Sequence, residues 1–325
     1  MQRPERQHER SPSSICPTLA GLYGWRRTTA GGVPRERSGE ALPRITIVTP
    51  SYNQASFLEQ TLCSVLMQGY PNLEYVVMDG GSTDGSRSTV ERYADLLTYW
   101  QSQADGGQAA AIAAGFERST GEVLGWVNSD DYLLPGALVQ IGRFFATRRD
   151  VDFLVCGGVV VDARGRLIRK YYAFPQDFRS LLCGGQLFMQ MSSFWRRSAY
   201  ERVGGLDTKL RFCFDYDLFL RLARERTPAA QEFLASAFRI HDDSKTSTIW
   251  TSVALPEAES VKARLGILTC SEEERDRVAR STIAEFYRVT RRGILRDLHR
   301  DPAYFVRCVR NKLLGRPGSQ LLGEK

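Results

Sequence analysis

The sequence predicts an α/β protein built on a mixed, mainly parallel central sheet with helices on both faces, followed by a helical C-terminal extension. Three observations carry this reading. From Ile45 to Asn128, short β-branched segments alternate with amphipathic helical ones, the βαβαβαβ rhythm of a parallel sheet. Two of the strand-like segments end in acids, Asp79 and the pair Asp130–Asp131, at the edge where open α/β sheets bind ligands. Beyond about residue 150 the rhythm breaks into a hairpin, and from Leu255 the chain reads as basic helices with no strand signal.

The elements follow in order. "ITIVTP" is a short strand of the kind buried in a parallel sheet. After the turn "SYNQ" comes a helix with Phe57, Leu58, Leu62, Val65 and Leu66 on one face. "LEYVVMDGG" is a second buried strand with a Gly-rich turn, Ser86–Leu97 a helix, and "LTYWQSQ" a third strand. Gln108–Glu117 is an alanine-rich helix, and "GEVLGWVN" a fourth strand delivering the paired aspartates. "DFLVCGGVVVDARGRLIRKYY" forms a hairpin about Asp-Ala-Arg-Gly. Short strands near 186–195, a helix after "RRSAYERVGG", a helix from Asp215 to about Arg224 and a strand "EFLASAFRIH" complete the pattern. Three regions are expected: a disordered basic arm over 1–43, a catalytic domain over 44–250 and a basic helical extension over 251–325.

The longest apolar run, Phe153–Val161, is far too short to span a bilayer, and residues 1–44 hold no apolar signal core. A cytoplasmic protein is the simplest reading. Seven scattered cysteines without a C-x-x-C pair indicate neither a disulfide framework nor a thiolate zinc site. The net charge of +7 divides into +4 over residues 1–44, +6 over 281–325 and −3 between them. Basic ends of this kind are solvated or rest on an anionic membrane at the inner face of the plasma membrane; nucleic acid is the weakest candidate partner and is not expected.

In isolation, adjacent aspartates more often form a turn or cap a helix. Two carboxylates at the end of a buried strand, however, repel one another and resist desolvation. A hard divalent cation bridging to a phosphate-bearing ligand compensates both problems, because Mg²⁺ or Mn²⁺ takes only one or two carboxylates and completes its shell with water and phosphate. No G-x-x-x-x-G-K-[ST], G-x-G-x-x-G or G-x-S-x-G occurs, which weakens the case for a P-loop enzyme, a dinucleotide enzyme or a serine hydrolase.

Four stretches in register, "ITIVTPSYNQASFLEQTLCSVLMQGYPNLEYVVMDGGSTDGS", "GGQAAAIAAGFERSTGEVLGWVNSDDYLLPGAL", "FDYDLFLRLA" and the late "FRIHDDSKTS", resemble the family 2 nucleotide-sugar glycosyltransferases of GT-A (Rossmann-like) fold over roughly Arg44–Lys245. The resemblance implies inverting transfer of a sugar from a nucleoside diphosphate (UDP, GDP or dTDP) to a saccharide or lipid-linked hydroxyl acceptor, in cell-envelope or extracellular polysaccharide or glycolipid synthesis, with Mn²⁺ or Mg²⁺ as cofactor. It places Pro50, Tyr52 and Asn53 in the base and ribose site, with Asp79, Gln108 and Asp130 also on the donor nucleotide. The second acid of the family's "DDGSTD" turn is Gly80 here, a departure that removes the usual contact to a uracil ring. Asp84 matches the acid of "STD" and is expected to cap a helix. "NSDD" resembles the D-x-D metal motif, with Asp131 on the cation, Asn128 replacing the motif's first acid and His241 approaching the metal or diphosphate. Asp215 matches the catalytic base and Arg221 the arginine six residues on. Asp217 competes for the base, but on a helix it points about 200° away from Asp215. Gln186, Gln190, Ser193 and Trp195 fall where the family places acceptor-facing loops.

Two other readings compete. A sugar-phosphate nucleotidyltransferase would carry a Gly-rich, basic loop after the first strand, which "TPSYNQ" lacks. A catalytically impaired nucleotide-sugar-binding protein is prompted by Gly80 and opposed by intact Asp131 and Asp215.

Overall fold

A computed structural model describes residues 42–245 and 249–313, with side chains through Arg307 and Cys308. The expected arm over 1–43 therefore lies outside the described residues except for Leu42 and Pro43. Both are tied down: the Tyr70 hydroxyl donates to the Pro43 carbonyl (2.5 Å) and Asn72 Nδ2 to that of Leu42 (2.6 Å). The chain forms two compact units that divide at Asp150/Val151, with Ala235–Ala237 joining the first, a division different from the expected boundaries near 43 and 250.

In the first unit, β1 (Ile45–Ser51), β2 (Leu73–Asp79), β3 (Tyr99–Ser102) and β4 (Val123–Trp126) make a parallel sheet in the order β3-β2-β1-β4. Ile45, Ile47, Val48, Val76, Val77, Leu124 and Trp126 bury this sheet on both faces, as continuous β-branched runs predict. The connecting helices are α1 (Ala55–Leu66), α2 (Ser86–Tyr93) and α3 (Gln108–Glu117). The expected second helix reached Leu97; a 3₁₀ turn over Ala94–Leu96 ends it earlier.

The strand order reverses between β1 and β4, creating a topological switch point with a crevice at the strands' carboxyl ends. β1 pairs with β4 only as far as Val48↔Trp126, yet continues beside β2 to Ser51↔Asp79. This split explains a proline inside an inner strand. Val48 accepts from the Val127 N–H and Ser51 from the Gly80 N–H, so even-numbered residues of β1 bond toward β4. The absent N–H of Pro50 thus falls where that pairing has ended, and no ladder bond is lost.

β5 (Tyr132–Leu133) pairs antiparallel with residues of β9 (Ala229–Ile240), Tyr132 opposite Ala237 and Leu133 opposite Ser236. α4 (Ala137–Thr147) closes this unit.

In the second unit, β6 (Phe153–Asp162) pairs antiparallel with β7 (Leu167–Tyr171) and with β8 (Ser193–Arg196). α5 (Phe178–Gly184) lies between β7 and β8 in sequence. The helix expected after "RRSAYERVGG" is instead α6, Arg197–Arg202 within it, because Gly204 and Gly205 adopt positive φ and end the helix. α7 (Phe214–Glu225) is where the sequence predicts it. The extension forms α8 (Leu255–Arg264), α9 (Glu272–Arg300) and α10 (Pro302–Leu313).

These helices are anchored by buried polar contacts. Lys170 on β7 bonds Asp297 (3.1 Å) and Asp301 (2.8 Å), and the Tyr172 hydroxyl donates to Asp297 (2.6 Å). Among the described residues no helix is long and apolar enough to cross a membrane.

Candidate active site

The loop after β4 carries the paired aspartates, and α1 fixes its backbone from behind. Thr61 Oγ1 donates to the carbonyls of Ser129 (2.9 Å) and Asp131 (2.6 Å), Ser64 Oγ accepts from the Leu133 N–H (3.1 Å), and Gln68 Nε2 donates to the Leu134 carbonyl (3.0 Å). All three side chains are buried. Each occupies a polar position on the face that packs inward, a signal that attention to the apolar stripe alone passes over. Asp131 closes a turn by donating its N–H to the Asn128 carbonyl (3.0 Å).

Asp131 is only 1% exposed. Asn128 Nδ2 donates to its Oδ2 (3.3 Å), while Asn128 Oδ1 accepts from Gln108 Nε2 (2.8 Å). The structure thus brings together Gln108, Asn128 and Asp131. An amide in the motif's first place gives the buried carboxylate a donor where an acid would add a like charge. Asp130 beside it is half-buried. Among the described residues, no three His, Cys, Asp or Glu side chains converge to hold a metal. The chain's own donor set at this loop is one or two carboxylates, the number Mg²⁺ or Mn²⁺ uses when phosphate and water complete its shell.

Two loops border the crevice from β1 and β2. Asp79 is fully buried, and its carboxylate accepts from Ser82 N (3.0 Å), Ser82 Oγ (2.5 Å) and Ser102 Oγ (2.6 Å). Asp79 thereby holds its own turn and ties it to the end of β3. Asn53, at φ 52°, donates its N–H to Ser82 Oγ (2.8 Å) and accepts from Thr83 N (2.9 Å) through its side chain. Asp84 caps two helices at once, accepting from Ala55 N (2.8 Å) and from Ser86 N (3.0 Å). Pro50 is buried within β1. Tyr52, by contrast, is 64% exposed and is the residue of this loop free to meet a flat ligand.

In the second unit, the two candidate bases on α7 have different surroundings. Asp217 is buried and bonded by Arg221 Nε (2.9 Å) and Arg264 Nη2 (2.5 Å). Two guanidiniums hold it as a structural anion, and Arg221 is occupied there too, donating also to the Val203 carbonyl (2.6 Å). Among the described residues Asp215 has no such cation in bonding reach; its carboxylate accepts the Tyr216 N–H (2.7 Å). Burial pushes its pKa up to about 6, against the lowering effect of hydrogen bonds from the Tyr216 and Asp215 N–H groups and the charge of Lys245. A carboxylate tuned this way suits proton abstraction near neutral pH.

Sequence reasoning missed Glu257 of α8. It accepts from three successive N–H groups, Arg211 (2.8 Å), Phe212 (2.8 Å) and Cys213 (2.9 Å), and so fixes the loop that starts α7. His241 is buried at the end of β9.

The expected acceptor residues Gln190, Ser193 and Trp195 are buried. Trp195 is 0% exposed and packs edge-on against Phe219 (5.8 Å between ring centres) and Phe153 (6.5 Å). Ser193 is buried with its hydroxyl on the Met189 carbonyl (2.8 Å), and Gln190 is buried too. They lie on β8, which pairs with β6, and on the 3₁₀ turn leading into it.

A parallel sheet with a topological switch point and an acidic loop at its carboxyl edge is the architecture of the GT-A fold. S. aureus TarS 1–349, solved with UDP-GlcNAc, shares this fold: the TM-score is 0.57 at 16% identity, over 74% of this chain and 71% of that one. Residues 46–204 match the model of Glycosyl transferase family 2. Relatives include uncharacterized glycosyltransferases of Rickettsia typhi (24% identical, 63% of this chain and 67% of the relative) and Mycobacterium tuberculosis H37Rv (29%, 56% and 69%). Chondroitin synthase of Pasteurella multocida is 27% identical over 56% of this chain, which spans only 19% of that protein.

Replacing Asp79 by Ala strands three buried or half-buried donors and is expected to lower unfolding free energy by about 3 kcal/mol. Urea denaturation of Asp79→Ala with an unshifted midpoint would contradict its assigned role.

Proposed function

We propose that the chain is a metal-assisted, inverting glycosyltransferase that uses a nucleoside-diphosphate sugar and extends a polysaccharide or glycolipid. The observation that carries this reading is the Gln108–Asn128–Asp131 chain at the switch-point crevice of a family 2 region. Chondroitin synthase among the relatives supports a polymer product.

Asp131, helped by Asp130, would hold Mg²⁺ or Mn²⁺. When bound, such an ion neutralises charge on the departing diphosphate. Gln108 and Asn128 hold Asp131 in place, so its geometry needs no rearrangement as the donor binds. Asp215 accepts the proton of the acceptor hydroxyl as that oxygen attacks the anomeric carbon opposite the diphosphate. Asp217 takes no part in proton transfer, because two arginines hold its charge.

Purified chain incubated with UDP-, GDP- and dTDP-sugars and Mn²⁺ is expected to release nucleoside diphosphate, with a loss of at least about a hundredfold in Asp131→Ala. Full activity in that variant would overturn the reading.

The raised pKa of Asp215 gives a second test. The base works only when deprotonated, so the rate falls as pH drops through about 6. Stability runs the other way. A folded-state pKa above the ordinary 3.8 means that the folded chain binds the proton more tightly, so stability from this group falls as pH rises from about 4 to about 6. Asp215→Asn is therefore expected to be inactive, yet at neutral pH more stable than the wild type by up to about 3 kcal/mol. An active Asp215→Asn, or a rate profile flat between pH 5 and 7, would contradict the assignment.

The acceptor end of the reaction suggests a membrane surface. On α9, Leu295 and Leu298 are exposed beside exposed Arg291 and Arg292, a combination that anionic lipid attracts. Flotation with phosphatidylglycerol vesicles is expected to carry the chain upward, and less so in Arg291→Glu/Arg292→Glu; a chain that stays at the bottom would refute lipid contact.

A further inference from the structure

Gly80 stands where the resembled family's turn motif carries its second acid, which leaves this turn without that carboxylate. The structure brings a different carboxylate to the same place. A Cβ built on Gly80 would lie 3.2 Å from Oδ2 of Asp105 and 3.4 Å from Cδ2 of Tyr52. The bare backbone of Gly80 thus leaves room for a carboxylate and an exposed tyrosine ring to approach one another.

Asp105 reaches this position because its loop is pinned. Ser102 donates to the Asp79 carboxylate and Gln103 N to the Asp79 carbonyl (3.0 Å), which fixes the chain just before Ala104 and Asp105. Gly81, at φ +82°, lies so close that an added Cβ would stand 3.1 Å from Ala104 N. A side chain there would push the 103–105 segment away. The paired glycines of "DGGS" therefore admit the loop that carries Asp105.

The two oxygens of Asp105 differ. Oδ1 accepts from the Gly107 N–H (2.7 Å) at the turn into α3. Oδ2 is the oxygen that faces Gly80, the residue on which the Tyr52 ring also closes. An exposed aromatic ring offers a stacking surface worth about 1–3 kcal/mol to a base. A single carboxylate oxygen at its edge selects for one ring N–H. Uracil and thymine present that donor at N3. Cytosine presents an acceptor at the same position, which a carboxylate repels, and guanine presents two donors that would need Oδ1 as well.

We propose that Asp105 is the base-specificity residue of the donor site, accepting the N3–H of uracil or thymine while the ring stacks on Tyr52. This rests on the nucleotide-sugar reading above and narrows it to uridine or thymidine diphosphate donors. Gly80 and Asp105 are then complementary: the loop that follows β3 supplies the acid that the turn after β2 lacks.

The test is calorimetric titration of the full chain with UDP and CDP in the presence of Mn²⁺. Wild type is expected to prefer UDP by about tenfold or more. Asp105→Asn and Asp105→Ser both keep an oxygen for the Gly107 N–H, so each is expected to retain the wild-type melting temperature while its UDP:CDP preference falls to near unity. A folded Asp105→Asn or Asp105→Ser with the wild-type preference would overturn this assignment and leave the glycosyltransferase reading intact. A wild-type chain that binds neither nucleotide would overturn the donor reading and this assignment together.

Discussion

A buried carboxylate at the end of β2 sets the geometry on which the proposed donor side depends. Asp79 is removed from water and must find its compensation in hydrogen bonds, since an uncompensated buried charge costs several kcal/mol. Ser82 supplies two donors and Ser102 a third. Those bonds join the turn after β2 to the end of β3, and Asn53 joins the same turn to the end of β1 through Ser82 and Thr83. Three loops at the carboxyl edge of the sheet are thereby fixed to one another before any ligand arrives. A preformed edge avoids the ordering cost that flexible loops would impose on binding.

The second unit solves a related problem with opposite results for two neighbouring acids. Asp217 and Asp215 lie within the first turn of α7, where the helix dipole favours negative charge. Asp217 has two arginines and becomes a fixed structural anion. Asp215 is bonded by the helix's own N–H groups and keeps the raised pKa of a desolvated carboxylate. Arg264 and Glu257 both come from α8, so the first helix of the C-terminal extension is part of the frame that presents Asp215. The basic composition of that extension concealed this role, because the contacts join residues more than forty positions apart.

The four parallel strands and the helix carrying Asp215 were legible because each rests on a local pattern: β-branched runs, 3.6-residue periodicity and turn residues. The paired aspartates were legible from their place at a strand end. What the sequence did not disclose depends on which neighbour a side chain meets. Trp195 and Ser193 look the same in sequence whether they line a loop or an inner strand, and pairing with β6 places them in the core. Thr61, Ser64 and Gln68 interrupt an apolar face, yet they are buried because loop backbone requires their hydrogen bonds. β5 is two residues long and has no periodic signal. Asp105 sits in a polar stretch that reads as an ordinary turn; only its approach to Gly80 distinguishes it.

The central claim is that the loop bearing Asp131 holds a nucleoside diphosphate through a divalent cation. Calorimetric titration of UDP into the wild-type chain, with Mn²⁺ and then with EDTA, tests it most directly. The account predicts saturable one-to-one binding that weakens by about tenfold or more when the cation is withdrawn. Binding of equal strength in EDTA would contradict it.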